Sequence, residues 1–237
     1  MGQVLSTAPS LAGCTVSYFD APGRGEAVRL ALVVADVSFT DERVSFLEWR
    51  GKKPTLPFGS MPVLTLANGT VITQQRAILR FIGKQAGTYP TDPMAAFRAD
   101  ERMDAVEDLI QKTNFAGAGL EKDAKEAARK EAVETGAAAA LLAAVDKHLE
   151  IFGYLSHPGS TFDGASVTVA DLHCFATTNM IISGLYDGVP GTCLDSFKNI
   201  QALRAAVAKE TRVAKFYSEL APELNEKLPP SYKALGL

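Results

Sequence analysis

Tyr18 is the first residue with chemistry to offer. It lies in a short run of strand-formers, Thr15–Phe19, and is followed closely by Pro22-Gly23-Arg24-Gly25, a loop that opens a helical stretch. Met61-Pro62 heads another apolar run, where a cis peptide bond fits. Gln74-Gln75 begins a second helical stretch. Helix starts present free N–H groups and the positive end of the macrodipole, so a polar pair there can seat an anion. A strand tyrosine alone is ordinary core. The order of the three features gives them weight together.

Other chemistries find little support. His148, His157 and His173 show no ligand spacing, so no metal site is expected. Cys14, Cys174 and Cys193 are odd in number and scattered, which suits a reducing, cytoplasmic compartment rather than a disulfide framework. The net charge of -3 and the lack of any Lys/Arg-rich run argue against nucleic acid as a partner. No apolar run approaches the roughly 20 residues of a membrane span. Met1-Gly2-Gln3-Val4-Leu5-Ser6 fits an N-myristoylation pattern. The plainer reading is a flexible leader over residues 1–13, with membrane attachment only if Gly2 is acylated, and then marginal.

These residues need a scaffold, and 237 residues with 47% hydrophobic content can supply one large core or two smaller ones. Thr15–Phe19 reads as a strand. Arg24–Ala35 carries Val28, Ala31, Leu32 and Ala35 at helical spacing. Ser38–Val44 reads as a second strand. Pro62–Leu66 and Thr70–Ile72 flank Asn68-Gly69, a hairpin signal. Gln74–Ala86 puts Ile78, Phe81, Ile82 and Gln85 on one face. The order is β-α-β, a ββ hairpin, then α, over residues 14–88. Two prolines and a glycine within Gly87–Pro93 then mark a linker, set at 89–93.

Residues 94–237 read as all-helical. Met103, Val106, Leu109 and Ile110 share a face, and Ala124–Phe152 is rich in Ala, Glu and Lys. Thr168-Val169-Ala170-Asp171 is a capping-box pattern, with Val167 and Leu172 placed for a hydrophobic staple. Phe197, Ile200, Leu203 and Val207 form a further face, then Val213, Phe216 and Leu220.

The run Tyr18-Phe19-Asp20-Ala21-Pro22-Gly23-Arg24-Gly25-Glu26 resembles the start of sigma-class glutathione transferases. So do Trp49, Lys53, the segment Leu56–Leu64, and Gln74-Gln75-Arg76-Ala77-Ile78-Leu79-Arg80-Phe81. The resemblance covers the chain from about residue 14 and is strongest over 17–86. It implies a thioredoxin-like domain that binds glutathione as co-substrate, with no other cofactor. A helical domain then completes the site for the electrophile.

Roles carry over residue by residue. Tyr18 resembles the tyrosine whose hydroxyl donates to the glutathione sulfur and lowers the thiol pKa. Arg24 resembles the nearby arginine whose charge favours thiolate. Phe19 packs beside the site. Met61, before the cis-proline position Pro62, resembles the residue whose backbone pairs with the cysteinyl part. Trp49 and Lys53 resemble the pair at the glycine end, and Gln74 the glutamine at the γ-glutamyl end. Gln75 departs from the pattern, where serine is usual. Its length and rotamer entropy predict retained but weaker glutathione affinity.

Asp108 resembles the acid that reaches across a dimer to the γ-glutamyl ammonium, with Glu107 and Asp104 as alternatives for that role. A homodimer follows. Ala21, Gly23, Ile110 and Phe115 are expected to face the electrophile. The expectation is conjugation of glutathione to hydrophobic electrophiles. A glutathione-dependent isomerase of the prostaglandin D synthase type, and a non-catalytic ligand carrier or crystallin-like relative, are the alternatives.

Overall fold

The computed structural model describes residues 10–154 and 167–237. Leu11 is buried, and its carbonyl accepts the Cys14 amide. Packing therefore begins inside the stretch read as leader, because an apolar side chain beside the first strand gains from leaving water. Gly2 and its acylation pattern, and His157, lie outside the described residues.

Four strands form one sheet in the order β2-β1-β3-β4. β1 (Thr15–Phe19) pairs in parallel with β2 (Thr40–Val44), placing Tyr18 opposite Arg43. β3 (Val63–Thr65) runs antiparallel to β1, and β4 (Val71–Thr73) antiparallel to β3. The β3–β4 turn closes at Asn68-Gly69, where Gly69 has φ +83° and the Thr70 amide donates to Asn68 Oδ1 at 3.0 Å.

Parallel pairing requires a crossover, and α1 (Gly23–Val34) provides it. Every residue from Gly25 to Leu32 is buried. One side of α1 meets the sheet and α3 (Gln75–Ala86), the other α7 (Val169–Ile181) and α9 (Thr211–Ser218). A helix enclosed all round belongs to the centre of a molecule. By contrast α2 (Phe46–Lys52) has no fully buried residue, Trp49 and Lys52 being half-buried. It rests on its capping box, in which Ser45 Oγ accepts the Glu48 amide and Glu48 accepts the Ser45 amide at 2.8 Å.

The second half is helical: α4 (Pro93–Phe115), α5 (Lys122–Glu134), α6 (Ala137–Phe152), α7, α8 (Lys198–Ala208), α9, α10 (Pro222–Glu226) and α11 (Pro230–Lys233). α4 opens at Pro93 rather than after it. Asp92 caps it by accepting the Met94 and Ala95 amides at 3.0 and 2.8 Å, and proline suits a first helical position. The Ala-rich tract breaks into two helices at Thr135-Gly136. α7 begins with the expected capping box, Thr168 with Asp171.

Asp171 does more than cap. It receives Arg102 of α4 at 2.6 Å, and neither side chain has any exposure. Arg102 also donates to the Gly153 carbonyl at 2.7 Å. One contiguous hydrophobic core runs through both halves, from Val16 and Val28 to Met103, Leu142 and Phe175.

Candidate functional site

Tyr18 is the last residue but one of β1, against the first turn of α1. Its hydroxyl oxygen accepts the Arg24 amide at 3.0 Å. That bond uses a lone pair and leaves the phenolic hydrogen to be donated elsewhere. Burial pushes the phenol pKa up, against the pull of the Arg24 amide and of the Arg24 and Arg29 charges. The group therefore stays a proton donor at neutral pH. Glycine at 23 and 25 makes the fit possible, since a methyl on Gly23 would lie 2.7 Å from the hydroxyl oxygen.

Arg29 holds this corner from below. It is fully buried, with its guanidinium 5.8 Å from the Tyr18 ring centre. It donates to Asp41 at 2.8 Å, Glu26 at 3.1 Å and the Ala21 carbonyl at 3.1 Å. Tyr217 of α9 donates to the other Glu26 oxygen. A buried cation with this many acceptors fixes the loop that carries Ala21 and Gly23.

Beside Arg24 lies a polar groove of about 340 Å³, lined by Arg24, Met61, Pro62, Gln74, Gln75 and Phe115, with Ser60, Gln111 and Asn114. The Met61–Pro62 bond is cis, and Gln74 has φ +70°, rare for a residue with a side chain. No side chain caps α3, whose cap residue Gln74 and first residue Gln75 line the groove. Arg24, Gln74 and Gln75 also border a second recess of about 430 Å³, with Arg76, Arg80, Asp104 and Glu107. Gln75 is buried between the two. Its Nε2 donates to the Arg24 carbonyl at 2.7 Å, and its Oε1 has no partner.

α4 turns Glu107, not Asp108, toward Arg24. The pair is bidentate, at 3.0 and 2.8 Å, and Gln111 donates to the same carboxylate at 2.7 Å. Asp108 is exposed one position on, and Asp104 pairs with Arg76. Trp49 packs edge-on to Phe19, ring centres 5.5 Å apart, and Phe19 stacks on Phe46 at 4.9 Å. Lys53 is exposed, with its stem alongside Gly59, one residue before Ser60 of the groove.

The four residues expected at the electrophile do not gather in one place. Ala21 and Gly23 line a more apolar pocket of about 260 Å³, with Met180, Leu185, Lys227 and Tyr232 among its walls. Phe115 lines the polar groove instead, and Ile110 is buried in the core. Tyr18 lines neither cavity directly. Its oxygen lies at the junction of Gly23, which borders the apolar pocket, and Arg24, which borders the polar groove.

The pairing of Glu107 with Arg24 was not expected from the sequence, although a signal was present. Glu107 stands four residues after Met103 and three before Ile110, a carboxylate set in the apolar stripe of α4. Met180, Lys227 and Tyr232 carried no local signal, because their proximity depends on how the end of the chain folds back. Among the described residues no cluster of His, Cys, Asp and Glu could hold a metal ion.

The fold and this geometry can be set beside known proteins. Residues 14–84 match the family model for the glutathione S-transferase N-terminal domain, and residues 108–219 match a C-terminal domain model of the same family. Glutathione S-transferase 1 of Ascaris suum is 35% identical over 162 residues, 66% of this chain and 74% of that protein. Hematopoietic prostaglandin D synthase of Mus musculus is 32% identical over 195 residues, covering 81% and 92%. The crystal structure of the glutathione S-transferase from Ascaris lumbricoides superposes with a TM-score of 0.66 at 29% identity, covering 87% of this chain and 97% of that one. At these identities and coverages the relationship is plain: the chain belongs to the glutathione S-transferase family.

Proposed function

We propose that this protein conjugates glutathione to hydrophobic electrophiles, with Tyr18 holding the sulfur as thiolate. The observation that carries this reading is the place of the Tyr18 oxygen, between a polar groove and an apolar pocket. Glutathione occupies the groove. The uncapped start of α3 and Gln74 take the γ-glutamyl end, the Met61 backbone takes the cysteinyl unit, and Trp49 and Lys53 take the glycine carboxylate. The electrophile enters beside Ala21 and Gly23. Asp108, exposed on α4, serves the γ-glutamyl ammonium of a second copy in a homodimer.

The phenol hydrogen bonds to sulfur and favours the charged form. The thiol proton leaves to solvent. The sulfur lone pair forms the new bond to carbon, and in a substitution the leaving group departs with its bonding pair. A free thiol, near pKa 8.5, is only a few per cent ionised at neutrality. A shift of about 2 units ionises most of it and corresponds to roughly 2.7 kcal/mol. The free cysteines suit a reducing compartment such as the cytoplasm. No helix of the described residues is long and apolar enough to cross a membrane.

Tyr18→Phe removes the hydrogen and keeps the ring. The expected outcome is a fall in chloronitrobenzene conjugation of about 10- to 100-fold and a rise in the bound-thiol pKa of about 2 units. A variant as active as wild type overturns the role. The mouse prostaglandin D synthase relative supports one other reading of the same site, isomerisation of an endoperoxide through the same thiolate. Direct turnover of prostaglandin H2 distinguishes it.

A further inference from the structure

We infer that the cavity between the end of α1, β2 and α9 is a second binding site, which takes an amphipathic aromatic anion from solution. It is separate from the Tyr18 corner. Val33, on its wall, stands about 15 Å along α1 from Gly23, and none of its lining residues borders the polar groove or the apolar pocket.

The cavity holds about 630 Å³, within the range of small-molecule sites and more than either recess beside Arg24. α9 gives it one wall. Arg212, Lys215 and Phe216, with Glu219 just past the helix end, are spaced by three and four residues and so share a face. Val213 and Tyr217 turn the other way and are buried. The end of α1 and the turn after it give the facing wall, with Val33, Val37 and Phe39. Phe39 and Phe216 are half-buried, so each keeps ring surface for a ligand.

The charges decide which ligand fits. Asp41 lines the cavity, but its carboxylate is taken by Arg29 and Arg43, each at 2.8 Å. Arg212 is exposed and, among the described residues, has no carboxylate partner. Lys215, on the same face, is held only in a loose exposed pair with Glu219 at 3.8 Å and can turn to the same anion. Asp36, the acid without a cation, stands on the facing wall, in the turn after α1 where its φ is +55°. An anionic head therefore settles along α9, where the Arg212 fork can hold a sulfonate or carboxylate, and its rings lie toward Phe39 and Phe216.

The test is isothermal titration with 8-anilinonaphthalene-1-sulfonate on wild type, Ser38→Trp and Arg212→Glu, with and without S-hexylglutathione as competitor for the groove and the pocket beside Gly23. Ser38 is exposed and lines the cavity, so an indole there fills the space without disturbing the core. Wild type should keep about one equivalent of the sulfonate under the competitor. Ser38→Trp should lose that equivalent, and Arg212→Glu should weaken it by about 5-fold or more. Rising salt should weaken it in wild type and not in Arg212→Glu. Chloronitrobenzene conjugation and thermal melts should be unchanged in both variants.

No sulfonate bound under the competitor overturns the inference, as does a remaining site that neither variant alters. A remaining site that prefers ethidium, an aromatic cation, overturns the choice of ligand. A change of oligomeric mass in Ser38→Trp would mean that a second copy covers the cavity, and overturns it as well. Each of these results leaves the Tyr18 reading standing.

Discussion

A methyl group placed on Gly25 would lie 2.5 Å from Cγ of Tyr18, at the base of the ring rather than at a mobile tip. The helix backbone and the tyrosine thus touch with no margin, and the ring position depends on the absence of a side chain one turn into α1.

Gly25→Ala is therefore expected to displace Tyr18 while the helix persists. Overpacking at a buried contact costs about 1–3 kcal/mol. Activity should fall by about 10-fold or more, since a small misplacement of a reacting group is costly in rate. Conjugation assays alongside thermal melts check this, and an alanine variant with wild-type activity would show the ring can shift freely.

Gln75→Ser should bind glutathione more tightly, by about 3- to 10-fold. The wild-type amide is committed to the Arg24 carbonyl, and its Oε1 is buried without a partner, an arrangement that costs about 1–3 kcal/mol. Serine removes the orphaned acceptor and brings a short hydroxyl to the start of α3. Isothermal titration decides; equal affinities would mean the glutamine is no hindrance.

Asp171→Ala strips a fully buried arginine of its carboxylate and removes half of a capping box. The expected loss of stability is about 3–5 kcal/mol by the first effect alone. Adding Arg102→Met should recover part of it, because the buried guanidinium that loses this carboxylate is then gone. Urea unfolding at a fixed protein concentration measures both.

His173 gives the protein an acid limit. Both ring nitrogens are buried without partners, and burial lowers its pKa to about 3 from an ordinary 6.5. The folded state then keeps the ring neutral where the unfolded chain takes up a proton. This contribution is intact above pH 6.5 and is lost as pH falls from there toward 3, at about 1.4 kcal/mol per pH unit. His173→Leu should flatten that slope. Parallel stability profiles for variant and wild type between pH 5 and 7.5 would count against it.

Much of the architecture was legible because it depends on local patterns. Asn68-Gly69 specified its turn, Thr168 with Asp171 specified a helix start, and the spacing of Ile78 and Ile82 specified the buried face of α3. The site was legible as far as its residues are close in sequence, from Tyr18 to Gly25. What escaped notice rests on distant parts of the chain. Arg29 reads as an ordinary helix arginine until Asp41 and Tyr217 arrive around it. Glu107 and Asp108 are neighbours whose roles depend on a rotation of about 100° around the axis of α4. Ile110 and Phe115 were assigned by analogy to a wall beside Ala21 and Gly23; Ile110 is buried, Phe115 lines the polar groove, and the pocket beside Ala21 and Gly23 has Met180, Leu185 and Tyr232 in its lining, which come from distant parts of the chain.

α1 carries one further implication. It is enclosed between the sheet on one flank and α7 and α9 on the other, and the acid and base within it, Glu26 and Arg29, are answered from both sides, by Asp41 and by Tyr217. Severing the chain near Pro90 would thus yield two fragments with exposed apolar flanks, neither able to keep the tyrosine corner in shape. The two halves that the family models recognise separately share one core, and Tyr18 lies beside the Arg24–Glu107 pair that ties them together.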